Sequence, residues 1–296
     1  MNAASPLSDD GLPPLRDVIR QFGLRAKKSL GQNFLLDLNL TRRIARLCGD
    51  LQGRDVIEIG PGPGGLTRAL LHEGARNVIA IERDQRCRHA LEMIAAHWPD
   101  GLTVIEDDAL KLNLSTIARN HALDPAETFV ISNLPYGIAT RLLVGWLEET
   151  TWPPRYAGMG LMFQKEVAER IVAEPETKAY GRLAVISQWS CDVRLALNVP
   201  AAAFTPQPKV DSAVVTFVPK PKRLPACSVL TLGRVTAAAF GQRRKMLRVS
   251  LKQLTPMPEL LLETTNISPT LRAEQIDVEA FARLAQALDG PAAPLD

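Results

Sequence analysis

The chain has 296 residues, 46% of them hydrophobic and 23% charged, with a formal net charge of +3. That composition excludes a disordered or collagenous protein and suits a large globular domain accompanied by a small one. The amino terminus has no basic start followed by an apolar core, and no apolar run approaches the ~20 residues that span a bilayer, so a cytoplasmic protein away from membranes is expected.

Residues 1–14 are polar and contain proline, and read as a loose extension. Leu15 to Phe22 has helical spacing and stops at Gly23, a natural C-cap. Asp37 is placed to cap a helix over 38–48, with Leu40, Ile44 and Leu47 on one face. From residue 54 strands and helices alternate. Strands are expected at 55–59, 77–81, 102–105, 128–132 and 157–163, with helices near 66–72, 84–97, 138–149 and 164–172. This pattern predicts an α/β fold with a doubly wound, mostly parallel sheet. Strands near 191–198 and 211–218, joined by the short Pro200–Lys209 connection, add an antiparallel pair at its edge. Pro219-Lys-Pro-Lys-Arg-Leu-Pro225 marks a boundary, and helices follow at 228–240, 243–254 and on to about 288. The expected division is therefore 1–14, 15–219 and a helical 220–296.

The cysteines (Cys48, Cys87, Cys191, Cys227) form no CxxC pair, and the histidines (His72, His89, His97, His121) fall in no ligand spacing. Neither a disulfide framework nor a metal is expected.

Between the first strand and its helix lies Glu58-Ile-Gly60-Pro-Gly62-Pro-Gly64-Gly65. Its Gly60-x-Gly62-x-x-Gly65 spacing, with Glu82 about 20 residues on, suits a site that grips an adenosine ribose. Taken alone it fits an NAD(P) dehydrogenase or an S-adenosylmethionine (AdoMet) methyltransferase. Pro61 and Pro63 remove N–H donors from the loop, which weakens a diphosphate cradle. Glu58 adds negative charge, tolerable near a sulfonium and poor near a diphosphate. Asp108 closes the next strand, placed to accept from an adenine amino group. Any one of these acids is most simply a solvated strand end. Three at successive strand ends beside a glycine loop favour AdoMet. The 128–132 strand then ends in Asn133-Leu134-Pro135-Tyr136, which presents an amide, rigid carbonyls and an aromatic ring at the sheet edge where ligands bind.

Four blocks carry a resemblance: Lys28-Ser-Leu-Gly-Gln-Asn-Phe-Leu-Leu-Asp37, Asn133-Leu-Pro-Tyr136, Phe204-Thr-Pro-Gln-Pro-Lys-Val-Asp-Ser-Ala-Val-Val215 and Phe240-Gly-Gln-Arg-Arg-Lys-Met-Leu-Arg-Val-Ser-Leu251. In this order they resemble the ribosomal RNA adenine dimethylase family, over about residues 16–290, and more closely its small-subunit, ribosome-biogenesis branch. The macrolide-resistance methylases that act on large-subunit rRNA share the AdoMet motifs and resemble the Phe204 and Phe240 blocks less well. The extension 1–14 lies outside the pattern.

The resemblance implies a Rossmann-like AdoMet-dependent rRNA (adenine-N6,N6-)-dimethyltransferase that leaves S-adenosylhomocysteine. Asn33, Leu35, Gly60, Glu82, Asp108 and Asn133 would contact the cofactor, and Gly62 shares their loop. Asp108 is preferred over Asp107 because it directly precedes Ala109. The target would be two adjacent adenosines in a loop near the 3′ end of small-subunit rRNA, within a pre-assembled small subunit, acted on by a monomer.

Adenine N6 is a weak nucleophile because its lone pair is delocalised into the ring. Asn133 and the Leu134 carbonyl are placed to accept from N6–H, with Pro135 fixing the turn, while Tyr136 and Phe204 would hold the base, each stack contributing ~1–3 kcal/mol. An isolated Tyr or Phe more often belongs to a core, and here the motif context outweighs that. For RNA, residues 219–252 hold nine basic side chains and no acid. Lys209, Arg243, Arg244, Lys245, Arg248 and Lys252 are the candidate contacts, with Arg244, Arg248 and Lys252 forming one stripe on the 243–254 helix. Arg16, Arg20, Arg25, Lys27 and Lys28 form a second basic cluster. The competing readings are a dehydrogenase, which leaves Asn-Leu-Pro-Tyr and the basic helix unexplained, and a non-catalytic ribosome-assembly factor.

Overall fold

The computed structural model describes residues 7–26 and 31–290. Lys27 and Lys28 of the second basic cluster lie outside the described residues. In chain order the elements are α1 (Leu15–Gln21), β1 (Phe34–Leu35), α2 (Leu38–Ala45), β2 (Asp55–Ile59), α3 (Gly65–His72), β3 (Asn77–Ile81), α4 (Arg88–His97), β4 (Leu102–Ile105), α5 (Leu114–Asn120), β5 (Thr128–Ser132) and α6 (Tyr136–Leu147). There follow β6 (Gly158–Gln164), α7 (Lys165–Ile171), α8 (Arg182–Ser190), β7 (Cys191–Val199), β8 (Phe204–Thr205), β9 (Ser212–Pro219), α9 (Val229–Gly241), α10 (Leu247–Ser250), α11 (Pro258–Thr264) and α12 (Val278–Asp289).

Seven strands form one sheet in the order β4-β3-β2-β5-β6-β9-β7. From β4 to β6 all pairings are parallel, and β9 runs antiparallel to β6. The order reverses between β2 and β5, so the carboxyl ends of those strands flank a crevice, the place where open α/β sheets bind ligands. The central strands are buried on both faces, as their continuous Val/Ile runs require. The expected α/β sheet with an antiparallel strand near its edge is present.

The chain divides into two compact units. The first comprises the described residues up to 142, with 155–168 and 195–217. Its core gathers Val56, Val78, Ile131, Leu70, Leu91 and Ile94, and also Phe204. In place of a loose tail, residues 7–14 are tied down here: Leu12 is buried, and Asp10 pairs with Arg68 on α3. A second small sheet pairs β1 with β8 antiparallel, Phe34 opposite Thr205 and Leu35 opposite Phe204.

The second unit takes residues 143–154, 169–194 and the described residues from 218 on, so helical chain from before residue 219 belongs to it. Its core packs Trp189 and Val185 of α8 with Val235 of α9 and Phe281 of α12. The expected helix 243–254 is broken. Residues 242–245 form a turn, Met246 bridges Arg272 in antiparallel fashion, and α10 begins only at Leu247, whose N–H donates to Leu271 O at 2.7 Å. That backbone pairing takes Met246 out of helical geometry. Arg244 therefore sits in the turn rather than in a helical stripe with Arg248 and Lys252.

Candidate functional site

A cavity of about 510 Å³ opens at the carboxyl ends of β2, β3, β4 and β5. Its size is that of a small-molecule site. The glycine loop, Glu82, Asp108, Asn133 to Tyr136 and the segment 31–35 all line it.

The loop is shaped by what its backbone cannot otherwise do. Gly60 has φ +68°, and a Cβ there would lie 3.3 Å from Cγ of Pro135, so the glycine loop and Asn-Leu-Pro-Tyr press against each other. At Gly65 a Cβ would stand 2.6 Å from the Leu35 carbonyl oxygen, which brings β1 directly over the start of α3. Three N–H groups of the loop are spent internally. Gly60 N donates to Ile81 O, Gly62 N to Glu82 Oε2 at 2.9 Å and Gly64 N to Pro61 O, while Pro61 and Pro63 have none. A diphosphate cradle needs such donors free, so the loop is poorer in them than the dehydrogenase reading requires.

Glu82 is buried at the end of β3, and its two oxygens accept from Gly62 N and, at 2.7 Å, from Asp84 N. Burial raises its pKa, against the pull of those two amides. Glu58 is 2% exposed, and the Thr67 hydroxyl donates to its Oε2 at 2.6 Å. Burial first, then the charge of Glu82, push Glu58 up to about 8, with the Thr67 bond opposing. The Glu58 carboxyl is thus largely protonated at neutral pH when no cation faces it. The negative charge that the sequence suggests there is favoured by a cationic occupant or by pH above about 8.

Asp108 caps the turn at Ala109 by accepting from Leu110 N, and its Oδ2 pairs with Arg83 at 3.1 Å. Asp107 also lines the cavity, and its Oδ1 accepts from Asp108 N. Arg83 and Gln32, whose Nε2 donates to Asp84 behind it at 3.0 Å, are parts of this wall that sequence reasoning missed. Adjacency to Glu82 was the available signal for Arg83.

Asn133 follows β5. Its Nδ2 donates to the Asn33 carbonyl at 3.3 Å, which turns Oδ1 away as the remaining acceptor. Leu134 has its side chain buried, so what it offers the cavity is backbone. Pro135 starts α6 through its carbonyl, which accepts from Ile138 N and Ala139 N. Tyr136 is half-buried, with its hydroxyl 2.6 Å from Ser212 Oγ at the start of β9. This contact fixes the ring and ties two of the four sequence blocks together.

Phe204 departs from expectation. It is 3% exposed, packs in the core of the first unit and does not line the cavity. Its backbone pairing with Leu35 turns the ring inward, so the second aromatic wall is not formed in this arrangement. The chemistry of covalent catalysis by thiolate has no support either: burial pushes Cys48, Cys87, Cys191 and Cys227 up to about 12.

The basic residues separate into two kinds. Arg243 pairs with Glu274 at 2.7 Å and donates to Thr177 O. Arg223 lies over the Trp152 ring at 3.6 Å and donates to the Leu147 and Glu149 carbonyls, and Lys220 donates to Gln188 O. These three hold the second unit together. Arg244, Lys245 and Lys252 are exposed with no carboxylate partner among the described residues, and Arg248 approaches Glu259 only at 3.9 Å. Lys209, in the first unit, is exposed as well.

A model of a family described as ribosomal RNA adenine dimethylase matches residues 23–289. A protein of Mesorhizobium japonicum named ribosomal RNA small subunit methyltransferase A is 58% identical over 94% of this chain and 99% of its own. One of the same name from Azorhizobium caulinodans is 59% identical, over 94% of each chain. Among solved structures, a dimethyladenosine transferase from Plasmodium falciparum matches with TM-score 0.69 and 25% identity, over 82% of this chain and 93% of that one. The 23S rRNA methyltransferase ErmE matches with TM-score 0.62 and 26% identity, over 87% of this chain and 100% of that one.

Proposed function

The chain belongs to the ribosomal RNA adenine dimethylase family, and from that premise we propose the reaction and the residues that perform it. Methyl groups pass from AdoMet to the N6 amino groups of two adjacent adenosines in a loop near the 3′ end of small-subunit rRNA. The products are N6,N6-dimethyladenosines and S-adenosylhomocysteine, made by a monomer on a pre-assembled small subunit in the cytoplasm. The observation that carries the cofactor assignment is the loop whose Gly60, Gly62 and Gly64 amides are engaged beside two buried carboxyl groups. That donor set fits a cationic, phosphate-free adenosine compound.

AdoMet supplies, when bound, a methyl group on a sulfonium. Glu82, held in place by two backbone amides, accepts from the ribose hydroxyls. Asp108 accepts from the adenine amino group, sharing its carboxylate with Arg83. Asn33 and Leu35 cover the site from above α3, Asn33 being tied to Asn133 and Leu35 to the start of that helix.

On the RNA side, Asn133 Oδ1 and the Leu134 carbonyl accept hydrogen bonds from the target N6–H groups. This favours a pyramidal nitrogen whose lone pair points at the incoming carbon. Alignment of that lone pair supplies most of the rate, and no general base is needed beforehand because the proton leaves to water from the far more acidic N-methylated cation. Tyr136, braced on Ser212, stacks on the unstacked base. Phe204 serves as the opposite wall only after its ring leaves the core. The second unit, carrying Arg244, Lys245, Arg248 and Lys252, recognises rRNA backbone, and Lys209 adds a contact from the catalytic unit.

The test is transfer of labelled methyl groups to small subunits isolated without the modification, with the products read by mass spectrometry. Two dimethylated adenosines on small-subunit rRNA are expected. Absence of transfer in the presence of bound AdoMet supports a non-catalytic assembly factor instead, and transfer to large-subunit rRNA alone overturns the substrate assignment.

A further inference from the structure

The amino-terminal extension, which the family pattern leaves unexplained, ends on the helix that starts at the glycine loop. Asp10 Oδ2 accepts from Arg68 Nε at 2.6 Å, Asp10 Oδ1 accepts from Arg68 Nη2, and Arg68 Nη1 donates to Pro13 O at 2.8 Å. The two side chains are 0% and 2% exposed. Among the described residues, every acceptor of this buried guanidinium comes from residues 10–13. Asp10 is itself set by the short turn around it, in which Ser8 N donates to Leu12 O, Gly11 N to Ser8 O and Leu12 N to Asp10 Oδ1. Leu12 and Leu15 are buried, and Leu15 Cδ2 lies 2.9 Å from where a Cβ on Gly65 would stand.

Arg68 is on the first turn of α3, and its own N–H donates to Gly64 O at the loop. Gly65 and Leu66 of the same turn line the cavity. A guanidinium cannot stay buried without its partners, because the desolvation of an uncompensated charge outweighs the packing around it. Without Asp10, Arg68 must reach for water, and the turn that carries it must move.

We infer that residues 8–14 form a strap that sets the first turn of α3 through the Asp10–Arg68 pair, making Asp10 a positioning residue for the cofactor cavity. This rests on the assignment of that cavity to AdoMet. It converts a segment outside the family motifs into part of the binding apparatus, acting from behind the helix and touching no ligand.

The experiment uses full-length protein and two readouts. One is the Kd for S-adenosylhomocysteine by calorimetry, and the other is amide hydrogen exchange over 64–68 in the ligand-free protein. Asp10→Asn is expected to raise the Kd about tenfold, equivalent to ~1.4 kcal/mol of binding free energy, and to speed exchange at 64–68. Ile117→Ala, a core truncation on α5, is the control for lost stability as such: it should lower Tm with the Kd unchanged. If Asp10→Asn does not fold, Asp10→Glu keeps the charge while displacing it by one methylene, and should still fold with faster exchange at 64–68 and a raised Kd. Folded Asp10 variants with wild-type exchange and Kd, or with a Kd change no larger than that of Ile117→Ala, overturn the strap. Wild-type protein that binds no S-adenosylhomocysteine overturns the cofactor reading instead, and the exchange readout then decides the strap alone.

Discussion

Replacing Glu58 by Gln tests the electrostatics of the cavity most directly. Gln keeps the size and can still accept from the Thr67 hydroxyl, so the change removes a proton site and little else. In the folded chain burial pushes Glu58 up to about 8, from an ordinary value of 4.5. A carboxyl whose folded pKa is raised contributes no penalty below the unfolded value. Between about pH 4.5 and 8 the unfolded chain has lost the proton that the folded chain retains, so stability falls as pH rises through that window and stays lower above it. A shift of this order corresponds to roughly 3–5 kcal/mol at pH 9, a large part of the ~5–15 kcal/mol by which domains are stable. Urea unfolding of wild type and Glu58→Gln at pH 5, 7 and 9 should give curves that converge at pH 5 and separate by several kcal/mol at pH 9, with Gln the more stable. Curves that stay parallel across that range would refute the reasoning. A cationic ligand reverses the preference, so wild-type affinity for AdoMet relative to S-adenosylhomocysteine should rise from pH 7 to 9, and the rise should vanish in Glu58→Gln.

Asn133→Ala should reduce methyl transfer by about 10²–10³, the scale for loss of one preorganised polar contact to the reacting group, while calorimetry still detects S-adenosylhomocysteine; retained turnover would sink the role given to Asn133. Gly65→Ala forces a methyl group to within 2.6 Å of the Leu35 carbonyl, and should cost about 1–3 kcal/mol in thermal unfolding together with most of the cofactor affinity. Alanine at Arg244, Lys245 or Lys252 should weaken binding to small subunits and flatten its dependence on log salt by about one per charge removed. Arg243→Ala, which breaks the pair with Glu274, should instead lower Tm with a smaller change in that slope.

Elements written in local sequence were legible in advance. The glycine loop, the acids at the ends of β3 and β4, and the Asn-Leu-Pro-Tyr turn announce themselves within a few residues, and the structure gathers them around one cavity. Contacts made over long separations were not. The β1–β8 pairing joins two dipeptides about 170 residues apart, too short for any periodic signal, and it decides where Phe204 points. Asp10 and Arg68 are separated by 58 residues, and nothing in a polar, proline-containing stretch advertises a buried partner. Helix α8 escaped because buried residues lie on several of its sides, leaving no 3.6-residue alternation to read. The basic stripe failed for the opposite reason: its period is genuine, but Met246 makes an isolated bridge to Arg272 and interrupts the helix that the period assumed.

The internal bonding of the glycine loop has a further consequence in the cell. Adenosine circulates there mostly as phosphate esters, ATP foremost, at levels that would flood any site recognising only base and ribose. In this loop Gly60, Gly62 and Gly64 donate inward and Pro61 and Pro63 donate nothing. A phosphate arriving beside Glu58 and Glu82 therefore meets carboxyl oxygens and a proline ring where a nucleotide-binding protein would offer amides. Turning those three amides inward disfavours the commonest competitor, and the effect operates before any contact with RNA.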